Sequence, residues 1–271
     1  MTGVLTESVL ASVDLEDVLA QRAWLRCSDP FPHVIAHDVF TPRFYAELSG
    51  ALRSVLDRGL SETSDRARFS RTMRGYDAYG LSITHETGGP LALFVSPAWR
   101  DLLCGLFGVE RTPYVYAGAH HHAPFSEDGF IHNDFNPIWF PRSVPGDEAI
   151  VTPAFGRCHF KTGEGTLEPH EKVETVRGAV AILYLLNDGW RTGDGGETAL
   201  FATRSGPLAR PQVTAAPVNN SLVAFECTPN SFHAFLKNHR LPRTSIIMWV
   251  HRGLAEASQR YGADRLERWE R

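Results

Sequence analysis
The strongest constraint on how this chain folds is a change of pattern at Tyr114. Beyond it, short apolar or alternating runs are separated by Gly, Pro, Asn and Asp. Such runs bury a strand on one or both faces while the residues between them turn the chain. They predict strands at 114–121, 129–134, 157–161, 178–186, 197–202, 221–227, 231–236 and 243–251. Many short strands in succession imply a barrel or a jelly roll, so the expected fold is mainly β with flanking helices. A chain of 271 residues, 43% of them hydrophobic, can bury this core in one domain. No repeat or linker divides it. The expected parts are a helical N-terminal part at 1–112, a β core at 113–252 and a C-terminal helix at 253–271.

Before Tyr114 the apolar spacing is helical. Leu15, Val18, Leu19 and Ala23 predict a short amphipathic helix over 14–25. Thr41-Pro42 reads as an N-cap with Pro at the first helical position, followed by the stripe Phe44, Leu48, Leu52, Val55. Ser96-Pro97 opens another helix, with Trp99, Leu102, Leu103 and Leu106 on one side and Gly108 as its stop. These helices are expected to pack rather than to carry chemistry. The charged stretch 61–74 reads as an exposed loop, and 255–271 as a surface helix anchored by Tyr261, Leu266 and Trp269, with a homodimer contact as the alternative.

Within the β region, His132-Asn133-Asp134 sets an imidazole and a carboxylate two residues apart. On a strand such residues face the same side and can grip one ion. His233, after the apolar run 221–225, is the candidate third ligand. Two imidazoles and a carboxylate leave coordination positions open, which suits non-haem Fe(II) oxygen chemistry. A satisfied Asp-His pair inside the barrel is the alternative. Shortly downstream, Arg243 and Ser245 share a strand face. A permanently charged guanidinium pairs bidentately with a carboxylate, so Arg243 calls for an acidic co-substrate, with a structural salt bridge to Glu197 as the alternative.

Taken in order, Pro30-Phe31-Pro32-His33-Val34-Ile35, Tyr116-Ala117-Gly118, His132-Asn133-Asp134, Leu185-Leu186-Asn187-Asp188, Gly195-Gly196-Glu197-Thr198-Ala199-Leu200-Phe201, His233, Arg243-x-Ser245 and Trp249 resemble the prolyl 4-hydroxylase-like branch of the Fe(II)/2-oxoglutarate-dependent dioxygenases. The resemblance implies a double-stranded β-helix (jelly roll, cupin-like) core. It implies Fe(II) on His132, Asp134 and His233, and 2-oxoglutarate held by Arg243 with Ser245 and Tyr116. O2 is then consumed, with succinate, CO2 and a hydroxylated product formed. The carboxylate at Asp134 favours hydroxylation, or desaturation or cyclisation, over the halogenation of relatives that lack it. Such relatives often carry a tyrosine where Leu185 stands here, and Tyr184, one residue earlier, is expected on the opposite face.

The remaining candidates concern substrate. The segment 135–175 carries Pro137, Pro141, Pro145, Pro153 and Pro169 and follows a metal ligand directly, so it reads as a lid. Asn136 and Trp139 are its candidate contacts. Arg157, His159 and Lys161 share a face if 157–161 is a strand, and could hold an acidic group, although a solvated face is the plainer reading. His120, His121 and His122 alternate faces and cannot chelate one ion together, which leaves His122 as a substrate contact. A free amino acid or similar small metabolite is the expected substrate, with a peptidyl prolyl hydroxylase and a non-catalytic metal-binding sensor as alternatives. A net charge of −4 gives no reason to expect nucleic acid. The four cysteines show no C-x-x-C pair and read as reduced thiols. Residues 1–20 lack the pattern of a signal peptide, and the longest apolar run, 179–186, is too short for a bilayer, so no membrane and a cytoplasmic location are expected.

Overall fold
The computed structural model describes residues 14–58, 76–77, 82–84, 86–144 and 149–269. The charged stretch 61–74 lies outside them. The helices are α1 (Leu15–Val18), α2 (Pro42–Arg58), α3 (Pro97–Phe107) and α4 (Leu254–Tyr261). The strands are β1 (Leu25–Cys27), β2 (His33–Ala36), β3 (Tyr76–Asp77), β4 (Ser82–Ile83), β5 (Val115–His122), β6 (Pro137–Pro141), β7 (Lys172–Tyr184), β8 (Thr198–Phe201), β9 (Val213–Ala215), β10 (Ser221–Glu226), β11 (Phe232–Phe235) and β12 (Arg243–Gly253).

The strands form two antiparallel sheets. The larger runs β1-β2-β10-β7-β12-β5-β3, with β4 also on β5 and β6 also on β7, and the smaller runs β11-β8-β9. Together they are the jelly-roll core, and neither sheet closes. Successive side chains on a strand face opposite sides, and each side has its own core. Ala179, Ala181 and Leu183 of β7, with Ala117, Ala119, Ile246 and Met248, pack against Leu48 and Leu52 of α2 and Trp99 and Leu103 of α3. Val180, Ile182 and Tyr184, with Tyr116, Ile247 and Trp249, face Leu200 of the smaller sheet. Small residues on the first side let the helices approach. The second side encloses a cavity.

Both long helices begin as their caps require. Ser96 accepts a hydrogen bond from the Trp99 amide, and Gly108 ends α3 in the left-handed conformation. Phe44, Leu48 and Leu52 of the α2 stripe are buried. Over 14–25 the expected helix shrinks to α1, because the chain turns extended and Leu25–Cys27 pairs with β2. Residues 129–134 and 157–161 are not strands. The first makes an isolated bridge between His132 and His233, and the second is a chain of turns bridged only at Cys158. Part of the expected lid, Pro137–Pro141, is instead β6, paired along β7. The C-terminal helix stops at Tyr261, and the residues beyond a short 3-10 turn run back across the cavity. Three of the four cysteines are buried, and all are free thiols. Among the described residues no single helix is long and apolar enough to cross a membrane.

Candidate metal and co-substrate site
His132, Asp134 and His233 meet, with one potential ligand atom from each within 4.8 Å of the others. The geometry does not come from a strand. Asp134 has φ +58°, a left-handed conformation that Asp tolerates better than most residues, and it turns the carboxylate back toward His132. His233 arrives from β11, locked to His132 by reciprocal backbone hydrogen bonds of 2.8 and 3.0 Å. The Nδ1 atoms of His132 and His233 lie 2.9 and 3.1 Å from the Phe130 and Ser231 carbonyls. A carbonyl only accepts, so each Nδ1 carries a proton and each Nε2 is the ring atom turned toward Asp134. Those Nε2 atoms lie 3.5 and 3.6 Å from the two Asp134 oxygens.

The electrostatics suit a cation. Burial, reinforced by His233, pulls His132 down to about 4, which keeps the imidazole neutral. Burial alone would raise the Asp134 carboxyl, but Arg177 and the two histidines outweigh it and hold it well below the usual carboxylate range. Two imidazoles and one carboxylate on a cavity wall are a fitting donor set for Fe(II). Arg177 and Trp249 hold the carboxylate in place. Arg177 Nη1 donates to Oδ1, Trp249 Nε1 donates to Oδ2 at 2.7 Å, and the guanidinium lies 4.2 Å over the Trp249 ring. Such outer partners orient a metal ligand and tune it.

Arg243 and Ser245 line up on β12 as expected. Arg243 Nη1 donates to Ser245 Oγ at 2.9 Å and Nη2 to Thr198 Oγ1 at 3.1 Å, while Nε has no hydrogen-bond partner among the described residues. Among the described residues no carboxylate pairs with it, Glu197 included. A guanidinium only 4% exposed and bonded to two hydroxyls retains its capacity for an incoming acid. Gly195 and Gly196 make this packing possible. Both have positive φ, a Cβ on Gly195 would stand 2.1 Å from the Lys237 carbonyl, and one on Gly196 would press on the Arg243 stem at 3.3 Å.

The structure moves several expected contacts. Tyr116 is buried and stacks on Trp249 with ring centroids 5.3 Å apart, and it does not line the cavity. Tyr184 takes a place nearer the co-substrate site, with its hydroxyl on Thr198 Oγ1 at 2.6 Å and its ring under Arg243. His122 and Asn136 line the cavity, as do His120 and Lys161. His121 points the other way, to Thr244. Trp139 packs on Gly163 and under Lys172 instead. Arg157 and His159 are exposed, since the turns over 157–161 abolish the shared face, and His159 pairs locally with Thr162.

Sequence reasoning missed Arg177, Thr198 and the tail residues Glu267, Arg268 and Trp269, all of which line the cavity. A signal for Arg177 exists, because a charge flanked by Val176 and the apolar run from Ala179 needs a partner when buried. Asn136 Nδ2 donates to the Glu267 carbonyl at 2.6 Å, and Trp269 Nε1 to that of Pro137 at 2.9 Å. The tail is thus pinned to the segment that follows Asp134.

Comparison with known proteins agrees with this chemistry. Residues 153–251, which include His233 and Arg243, match the sequence model of the 2OG-Fe(II) oxygenase superfamily. A search of curated proteins finds no match. Similar solved structures include a prolyl-4-hydroxylase from Pseudomonas putida, at 18% identity and TM-score 0.43 over 81% of this chain and 87% of that one. A prolyl 4-hydroxylase from Phytophthora capsici aligns at 19% and 0.48 over 88% and 63%. A prolyl hydroxylase from Trichoplax adhaerens, solved with a hypoxia inducible factor peptide fragment, aligns at 15% and 0.49 over 84% and 86%. The matched residues 153–251 supply His233 and Arg243, and the cavity wall on which His132, Asp134 and His233 meet fits the Fe(II), 2-oxoglutarate and O2 chemistry of that superfamily.

Proposed function
We propose that this chain is a 2OG-Fe(II) oxygenase that hydroxylates an unactivated C–H bond of a free amino acid or a similar small metabolite. The observation that carries the reading is the cavity wall. The tail residues Glu267, Arg268 and Trp269 line the same cavity of about 580 Å³ as the His132, Asp134 and His233 side chains. That volume suits a small molecule beside its co-substrate.

In this reading His132, Asp134 and His233 hold the iron, which when bound supplies oxygen activation coupled to decarboxylation of 2-oxoglutarate. Arg243 pairs with the far carboxylate of 2-oxoglutarate, and Ser245 and Thr198 fix the guanidinium. Arg177 and Trp249 keep Asp134 ionised and aimed. Val180, Ile182, Ile247 and Phe235 form the apolar wall that keeps water from the reacting carbon. Succinate release with Fe(II) and 2-oxoglutarate, measured against a panel of free amino acids and a panel of proline-rich peptides, tests the substrate class. The reading expects stimulation by amino acids alone, and a response confined to peptides rejects it.

A further inference from the structure
The lysine and arginine side chains on the cavity wall are Lys161, Arg177, Arg243 and Arg268. Arg177 is bound to Asp134, Arg268 pairs with Glu174 at 2.7 Å, and Arg243 faces the co-substrate position. The acid Glu267 is engaged by Arg204 and by Asn133 Nδ2. Lys161 differs from all of these. It makes no hydrogen bond or ion pair with any described residue, and its Nζ rests 4.2 Å from the Trp269 ring and 5.7 Å from that of Phe160. Trp269 in turn lies 5.5 Å from the Arg177 guanidinium. Asp134, Arg177, Trp269 and Lys161 therefore follow one another out from the metal site. Burial first, and then the neighbouring Arg177, pull the Lys161 ammonium down from its ordinary value. Its charge lacks a counterion among the described residues, and aromatic faces alone compensate it weakly.

We propose that Lys161 binds the carboxylate of the substrate, so that the substrate is a small free carboxylic acid seated between the iron and the C-terminal segment, with Trp269 as its side wall. This deepens the function proposed above and rests on it. A residue inside a peptide chain offers no carboxylate at its backbone, whereas a free amino acid does. The acid would place its chain along Trp269 and present a carbon toward His132 and Asp134. The plainer role for Lys161, fastening the tail through Trp269, makes no distinction between an acid and its amide.

The test pairs each proteinogenic L-amino acid with its primary carboxamide and reads succinate release in the presence of Fe(II) and 2-oxoglutarate. In the wild type at least one acid stimulates release, and its amide falls by roughly 10–100-fold in kcat/KM, the effect of one charge-assisted hydrogen bond. Lys161→Gln raises the KM for that acid by a similar factor and removes the gap between acid and amide. Lys161→Arg restores the gap. Equal responses to acid and amide, an unchanged KM in Lys161→Gln, or silence from every acid would overturn the proposal. Stimulation by peptides but not by acids defeats the small-molecule reading beneath it, and absence of any 2-oxoglutarate consumption by the wild type strikes both.

Discussion
On β12, Thr244, Ile246, Met248 and Val250 point toward the helices, while Arg243, Ser245, Ile247 and Trp249 point toward the smaller sheet. The same alternation separates Ala117 and Ala119 from Tyr116, His120 and His122 on β5. The helix side is small and aliphatic and holds the sheet against α2 and α3. The cavity side collects aromatic rings, imidazoles and guanidinium groups, each of which must find a partner or a ligand when buried. One strand thus carries stability on one face and chemistry on the other, and substitutions on the two faces should separate cleanly.

The largest effect belongs to the cavity side. Asp134→Ala should abolish hydroxylation and metal binding, which a titration with Mn(II) or anaerobic Fe(II) would read directly. It should also strand Arg177, and breaking a buried pair in this way costs about 3–5 kcal/mol. Retained turnover would remove Asp134 from the metal site. Next, Arg243→Ala should raise the 2-oxoglutarate requirement by roughly 10–100-fold, read as KM for 2-oxoglutarate. An unchanged requirement would move the anchor elsewhere. On the opposite face, Leu183→Ala should cost about 2–5 kcal/mol of stability by denaturant titration while leaving kcat/KM per folded molecule unchanged. A change in KM there would show that the two faces are coupled.

The helix face was legible because it obeys local rules. Caps at Ser96 and Gly108, the stripe on α2 and the alternation on β7 are all readable from neighbours in sequence. The site was legible only where motif and face coincide, as at Arg243 and Ser245. His132 and Asp134 were paired for the wrong reason, since the left-handed turn at Asp134 rather than strand periodicity brings them together. Arg177 was hidden by the opposite mechanism. Strict alternation puts it with Ala179 and Ala181 on the helix side, but the register shifts at Gly178, where Ala179 faces Val250 and Arg177 faces His251. One extra residue swings the guanidinium into the cavity. A Cβ at Gly178 would sit 2.7 Å from Val109 and 3.2 Å from the Val250 carbonyl, so the shift requires glycine. The tail was hidden for a third reason, because its contacts with Asn133, Asn136 and Pro137 span most of the β core in sequence.

The smallest effect, and the finest test of the two-face division, is in pH. Burial, with His233 for one and Arg243 for the other, holds His132 down to about 4 and His120 down to about 3, while an unfolded histidine titrates near about 6.5. In the metal-free protein the unfolded chain therefore binds more protons than the folded one between those limits. Stability is full above the unfolded value and declines as pH falls through this window. His132→Gln should flatten that decline between about 6.5 and about 4 in a series of thermal midpoints. Leu183→Ala should lower every midpoint and leave the slope alone, because nothing that titrates has been removed from its side of the sheet. If both substitutions changed the slope alike, charge on the cavity face and packing on the helix face would not be independent, and the division between the two faces would fail.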